Sequence, residues 1–191
     1  TYGITGDSTV MASELHVDAI KHSGGTSALT IDSSGNLTAN ANLNASTGLT
    51  VPSGHIIQVI ENSTTTQVNS TSTTYADTGL TATITPQSTS SKIAIFISQN
   101  VHKTYQQTDQ IQLNIVRGST QLVQWATELL HDNGALYHFN GYGSQSYIDS
   151  PSTTSATTYK TQFRRRLSTS AQMSVQYASG RSSIMLMEIS G

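Results

Sequence analysis

The chain has 191 residues, of which 35% are hydrophobic and only 10% charged, with no cysteine and a formal charge of −2. That length holds one good core, or a small core plus an extended segment, and the balance excludes both a membrane protein and a charge-driven disordered chain. A disulfide framework and thiolate chemistry are excluded as well, and the charge gives no case for nucleic acid or an anionic membrane as partner. Serine and threonine fill roughly 30% of the chain, far above globular usage. Threonine favours strands while Ser, Asn and Gly favour turns, so the composition leans towards β structure.

Residues 1 to 54 hold few large apolar residues and no aromatic after Tyr2. The chain opens at Thr1-Tyr2-Gly3, which reads as a processed product or a fragment. Glu14 to His22, with Leu15, Val17 and Ile20 apolar, has room for one or two helical turns but is too short to stand alone as a helix. Turn signals then recur at Ser23-Gly24-Gly25, Asp32-Ser33-Ser34-Gly35-Asn36, Ser46-Thr47-Gly48 and Val51-Pro52-Ser53-Gly54. Between them, Leu29-Thr30-Ile31 and Leu37 to Leu43 alternate with the strand period. One copy of such a segment buries almost nothing, and isolated short strands are not stable in water. Either the segment is disordered or several copies wrap one axis and share a narrow core, and the regular spacing of Leu29, Ile31, Leu37, Leu43, Leu49 and Val51 favours the second, a shaft over residues 1–54.

Residues 55–191 read as a second domain. Strand-like runs recur at His55–Glu61, Leu80–Thr85, Lys92–Val101, Gln110–Arg117, Gln121–Thr127, Tyr159–Leu167, Gln172–Ala178 and Ser183–Ile189, which predicts a β-sandwich or jelly roll. Lys92 to Ser98 is apolar on both faces and should be a central strand. Ile111, Leu113 and Ile115 alternate with Gln112 and Asn114, which predicts one wet face. Leu122 to Leu130 fits a helix by spacing, but a strand running into a loop is preferred. Ser183 to Ile189 is apolar on both sides, as for a strand held inside the molecule or against a neighbouring chain. Its apolar run, Ile184 to Met187, is far too short to cross a bilayer.

The stretch Glu14-Leu15-His16-Val17-Asp18-Ala19-Ile20-Lys21, followed by Ala28 to Leu37, resembles repeats of tailed-phage fibre shafts, marine phages in particular. Gly54 to Ile60, Tyr75 to Pro86, Ser90-Ser91-Lys92-Ile93 and the final apolar strand follow in the order of phage fibre heads. The resemblance covers nearly the whole chain. It implies an all-β virion fibre protein: an N-terminal intertwined trimeric β shaft, then a C-terminal jelly-roll-like β-sandwich head. A homotrimer on the virus particle follows from it, joined upstream of the shaft to other virion proteins. It carries over no catalytic or binding residue to a numbered position.

The chemistry-bearing residues are scattered. His102, His131 and His138 stand near Asp109, Asp132 and Glu128, and a base near neutral pH does need an orienting acceptor. No Gly-x-Ser-x-Gly elbow accompanies them, and no convincing carboxylate pair for glycoside cleavage is present. The chain therefore reads as a non-enzyme with no cofactor. Metal-ligand spacings such as His-x-His are also absent, so no metal site is assigned. A single histidine repeated about a three-fold axis (His16, His22 or His55) is the one arrangement that spacing does not test.

Glu128 to Asp149 is the best candidate for recognition. Tyr137, His138, Phe139, Asn140, Tyr142 and Tyr147 stand there among glycines and amides, and rings of this kind stack on sugar faces or give rigid contact area. Trp125 and Tyr105 are placed to join from neighbouring strands. The competing reading puts these rings in the core or at a subunit interface. Arg164-Arg165-Arg166 is not one patch, because on a strand Arg165 points away from the other two; an edge guard or an intersubunit ion pair is expected. The function expected is attachment, the head binding a host-surface glycan or protein and the shaft giving reach. A purely structural fibre or joint is the alternative, and a polysaccharide depolymerase ranks third.

Overall fold

A computed structural model describes residues 19–21, 27–39, 52–103, 109–129, 139–167 and 171–191. The chain divides into two units, Thr1–Thr50 and Val51–Gly191. In the first, β1 (Ala19–Lys21), β2 (Ser27–Ile31) and β3 (Leu37–Ala39) form an antiparallel sheet with β2 in the middle. Where a helical turn had room to form at Glu14–His22, Ala19–Lys21 is extended and paired with β2 instead. The β2–β3 turn is closed by Asp32. Its carboxylate accepts hydrogen bonds from the backbone N–H groups of Ser34 and Asn36 and from the Asn36 amide, all at 2.9 Å. The Asn36 side chain and backbone hold that carboxyl below its usual range, and Gly35 supplies the left-handed φ of 82° that the turn requires. Ile20, Ile31 and Leu37 all lie exposed. Leu29 is half-buried, and Leu43, Leu49 and Val51, the last three positions of the predicted spacing, fall outside the described residues.

The second unit begins at residue 51 rather than 55 because Pro52–His55 is pinned to the chain's far end. Gly54 N–H donates to Ser190 O, Ser190 N–H donates to His55 O, and the Ser190 hydroxyl donates to Pro52 O, at 2.7–2.8 Å. Its long strands are β4 (Ile56–Thr64), β6 (Ala76–Ile84), β7 (Lys92–Lys103), β8 (Ile111–Arg117), β9 (Thr120–Leu129), β10 (Phe139–Asp149), β11 (Thr157–Arg165) and β13 (Ser182–Ile189), with short β5 (Val68–Ser70) and β12 (Met173–Val175). One sheet runs β4-β13-β7-β10, and β12 and β5 extend it beside the end of β7. The other runs β6-β11-β8-β9. All pairings are antiparallel, and Leu80, Ile95, Leu113, Tyr159, Phe163 and Leu186 from both sheets meet in one core.

β7 is central, as its two apolar faces require, with β10 along one side and β13 then β12 along the other. β13 lies inside the sheet between β4 and β7. β9 is a strand throughout, which settles Leu122–Leu129 against the helical spacing. The run Gln172–Ala178 is cut short: after Val175 the left-handed φ of Gln176 and Ala178 (53° and 49°) turns the chain into a single 3-10 turn, Tyr177–Ser179. β10 is a long strand where no strand was expected. Its inward positions are Gly141, Gly143, Gln145, Tyr147 and Asp149, so it lacks the apolar alternation by which strands are recognised.

The expected wet face of β8 is covered. Gln112 and Asn114 are buried because β8 is an interior strand and its neighbours' side chains lie across it. Asn114 donates to Gln121 at 3.0 Å, and Arg164 donates to Gln112 at 2.8 Å. Between the sheets lies a second polar group. Gln99 donates to the Ser182 hydroxyl and accepts from the Thr161 hydroxyl, both at 2.9 Å, and Thr161 is bonded to Thr78; all four residues are fully buried.

Candidate recognition surface

The strand order gives the sandwich two unlike ends. Pro52–His55 enters at one, where Lys92 pairs with Ile189 and Ile189 with Ile56. At the opposite end Lys103 pairs with Phe139 and Met173, and Ile111 pairs with Leu129 and Arg165. The connections β7–β8, β9–β10 and β11–β12 therefore all leave from the end remote from the entry point. Tyr105, His131, Tyr137 and His138 belong to these connections and lie outside the described residues.

Phe139 and Asn140 begin β10 at this remote end, both exposed, and the Phe139 ring folds back over Gly141, where a Cβ would meet it at 2.6 Å. Asn140 accepts from the Asn100 amide at 2.9 Å, and Asn100 in turn accepts from Tyr177 N–H at 2.9 Å. Tyr142, 55% exposed, sits opposite Asn100 on the outer face of the sheet. Tyr147 points inward and packs against the core. Trp125 is part of that core, so its ring offers no contact surface. The structure thus brings Phe139, Asn140 and Tyr142 to the surface of one strand and holds Tyr147 and Trp125 inside.

A cluster of buried charge underlies the remote end. Asp109 accepts from the backbone N–H groups of Gln110 and Leu167 at 2.8 and 2.9 Å, its other oxygen is 3.4 Å from Arg165 Nε, and Lys103 Nζ reaches its carbonyl at 3.3 Å. All three charged side chains are buried. This corrects the arginine run. β11 lies between β6 and β8, so it needs no edge guard, and Arg165 pairs within its own chain. Arg164 lies over the Tyr75 ring at 4.6 Å, and Arg166 donates to Gln110. At the entry end, Arg117 and the Tyr159 hydroxyl share Asp149, at 2.8 and 2.7 Å; burial and that carboxylate push the Tyr159 phenol upward.

His102 is buried and stacks on Tyr177 with ring centroids 3.6 Å apart. His55 is exposed, its Nδ1 2.9 Å from Pro52 O. His16, His22 and Asp132 are outside the described residues. Among the described residues no three His, Asp or Glu come together as a metal site would need. No helix among them is long and apolar enough to cross a membrane.

Sequence reasoning missed the outer face of the β4-β13-β7-β10 sheet. Register places Val59, Met187, Ala94 and Ile148 in one row across its four strands, and Glu61, Met185, Phe96 and Ser146 in the next. A third row is Ser63, Ser183, Ser98 and Ser144. Met185 and Met187 gave a signal by alternation; Ile56 and Val59 did not, because an irregularity at the start of β4 breaks their phase.

No protein-family model matches the chain, and no curated protein matches it. Among solved structures it is similar to a chain in the structure of infectious bursal disease virus Gt strain, at 9% identity and a TM-score of 0.38, with 85% of this chain and 46% of that chain covered. It is similar also to one in the Gx strain, at 9% identity and a TM-score of 0.34, with 85% and 45% covered. The chain spans less than half the length of those viral chains.

Proposed function

We propose that this chain is a fibre protein of a virus particle: a shaft shared by three copies, carrying a head whose remote end binds a glycan or protein on the host surface. The observation that carries the reading is the polarity of the head. The chain enters beside Ser190, and the exposed Phe139 begins β10 at the opposite end, where a body held on a stalk presents its contacts; connections leave the sandwich at both ends. The strand order supports it as well. Counting the eight long strands in sequence, the first, eighth, third and sixth form one sheet and the second, seventh, fourth and fifth the other, which is the winding of a jelly roll. Binding would be shallow, weak per copy and strengthened by the number of copies.

The shaft part rests on the small sheet. Three strands of three to five residues with Ile20, Ile31 and Leu37 exposed do not make a stable unit in water. Lys21 is the sole Lys or Arg among residues 1–50, which makes trypsin a specific probe. The assembled chain is expected to resist cleavage after Lys21, and Leu37→Asp to open that site; equal resistance in the two chains counts against a shared core.

Attachment is tested by labelled full-length chain on an array of bacterial lipopolysaccharides and capsular polysaccharides. Phe139→Ala is expected to weaken capture by about tenfold, the scale of an aromatic contact residue. No capture on any spot and none on intact host cells, or capture unchanged by Phe139→Ala and Tyr142→Ala, overturns the attachment reading. The structural alternative, a fibre or joint with an assembly head, draws support from Tyr142, which is exposed on a sheet face and not at the tip of the head.

A further inference from the structure

Asn100 lies on the outer face of β7, opposite Tyr142, yet it is buried, because the turn at residues 176–180 lies across it. That turn is held against the preference of its own backbone. Gln176, Ala178 and Ser179 take left-handed φ values of 53°, 49° and 63°, where a Cβ crowds the following carbonyl. Such a conformation persists only where its surroundings impose it. Asn100 supplies two of the restraints: Gln176 N–H donates to its backbone oxygen at 3.3 Å, and Tyr177 N–H donates to its Oδ1 at 2.9 Å. Ala178 N–H donates to Gln67 at 3.3 Å, and the Tyr177 ring stacks on His102, the residue opposite Asn140.

The other half of the Asn100 amide faces β10. Its Nδ2 donates to Asn140 Oδ1 at 2.9 Å and to Gly141 O at 3.4 Å. Asn140 follows Phe139 in the chain, and Gly141 lies under the Phe139 ring. One buried amide thus accepts from the turn and donates to the strand, segments 77 and 40 positions away from it. Oδ1 and Nδ2 share a rigid plane, so neither bond shifts without moving the other. The Asn100 backbone N–H, donated to the buried Ser182 hydroxyl at 2.9 Å, fixes the root of that plane.

We infer that Asn100 is a positioning residue: it couples the strained turn at 176–180 to the start of β10 and so sets where Phe139 and Tyr142 stand. The coupling rests on these bonds alone; that the two rings are contacts rests on the attachment reading. Gly180 is where the turn leans on the amide. A Cβ there would meet Asn100 Cγ, Nδ2 and Oδ1 at 2.6–2.7 Å, so the turn has no room for a side chain unless the amide swings away.

The test reads β10 from the turn and the turn from β10. Amide hydrogen exchange is followed by mass spectrometry in the full-length chain, in Gly180→Ala, Asn140→Ala and Asn100→Ala, and in Asn100→Ala combined with Gly180→Ala. Gly180→Ala aims its methyl at Asn100 and is expected to speed exchange over residues 139–145 by about tenfold, the scale of one or two lost hydrogen bonds. Asn140→Ala should speed exchange over residues 176–180, because coupling is reciprocal. With Asn100 already alanine, Gly180→Ala should add nothing. Exchange in β8 should stay unchanged, which separates local release from loss of the fold; if Gly180→Ala unfolds the head, Asn140→Ala decides alone. If either folded variant leaves the far side unchanged, or if the two effects add in the double variant, the inference is overturned. Capture on the polysaccharide array supplies the functional half, and Gly180→Ala should weaken it about as much as Phe139→Ala does. Capture retained in full while exchange over 139–145 rises overturns the positioning role. Coupling present with no capture by the unaltered chain is a failure of the attachment reading instead.

Discussion

Replacing Asp109 by alanine is expected to cost the head about 3–5 kcal/mol, the range for breaking a buried ion pair from one side. The carboxylate answers two backbone N–H groups and lies 3.4 Å from Arg165, so its removal strands two donors and leaves buried cations with less compensating charge. Arg165→Met should cost a similar amount, because Asp109 then stays buried without that guanidinium. The double variant should lose less than the sum of the two, since the penalty belongs to the unpaired charge and not to the pair. Urea unfolding followed through Trp125, the only tryptophan, gives all three midpoints. A loss below about 1 kcal/mol for Asp109→Ala would mean that water reaches the pair, contrary to its burial.

The second large effect is expected at Gln99. Its amide joins Ser182 on β13 to Thr161 on β11, so one side chain links the two sheets across the core. Gln99→Leu leaves both hydroxyls short of a partner and should destabilise by about 2–3 kcal/mol. Gln99→Leu with Thr161→Val removes both halves of one bond and should recover part of the loss, because an absent group costs less than a stranded one. If the double variant is as unstable as the two losses added, the two side chains are not coupled and the effect of Gln99→Leu has another source. Denaturant midpoints at unchanged slope decide between them.

These sites show how far the sequence could be read. The strands with apolar residues on alternating or on both faces (β7, β8, β13) were legible, because burial writes a period into the residue types. β10 was not, since its inward positions hold Gly141, Gly143 and Gln145 where a strand ordinarily places Val or Ile. The same segment had been singled out for recognition by its rings. Pairing with β7 then sorted those rings in a way composition does not encode, Tyr142 outward, Tyr147 inward, and Phe139 exposed at the strand's start. The face of Gln112 and Asn114 looked wet because polar residues usually are. It is dry because Gln121 and Arg164 reach across from neighbouring strands, and their proximity depends on sheet order. Arg165 and Asp109 are 56 positions apart, with nothing in either local sequence to announce the other.

One feature of the topology governs how the head is made. β13 follows every other strand of the head in chain order, yet it lies between β4, the first of them, and β7. Ile184 meets Asn62 about 120 residues away along the chain, the kind of long-range closure that makes folding slow. Until Ser182–Ile189 emerges from the ribosome, β4 and β7 each keep an edge open to any strand that passes, another nascent copy included. Completion of the head is thus a reading of the chain's own length. A copy interrupted before residue 182 lacks Ile184 and Leu186, and its sheet stays unzipped along the middle.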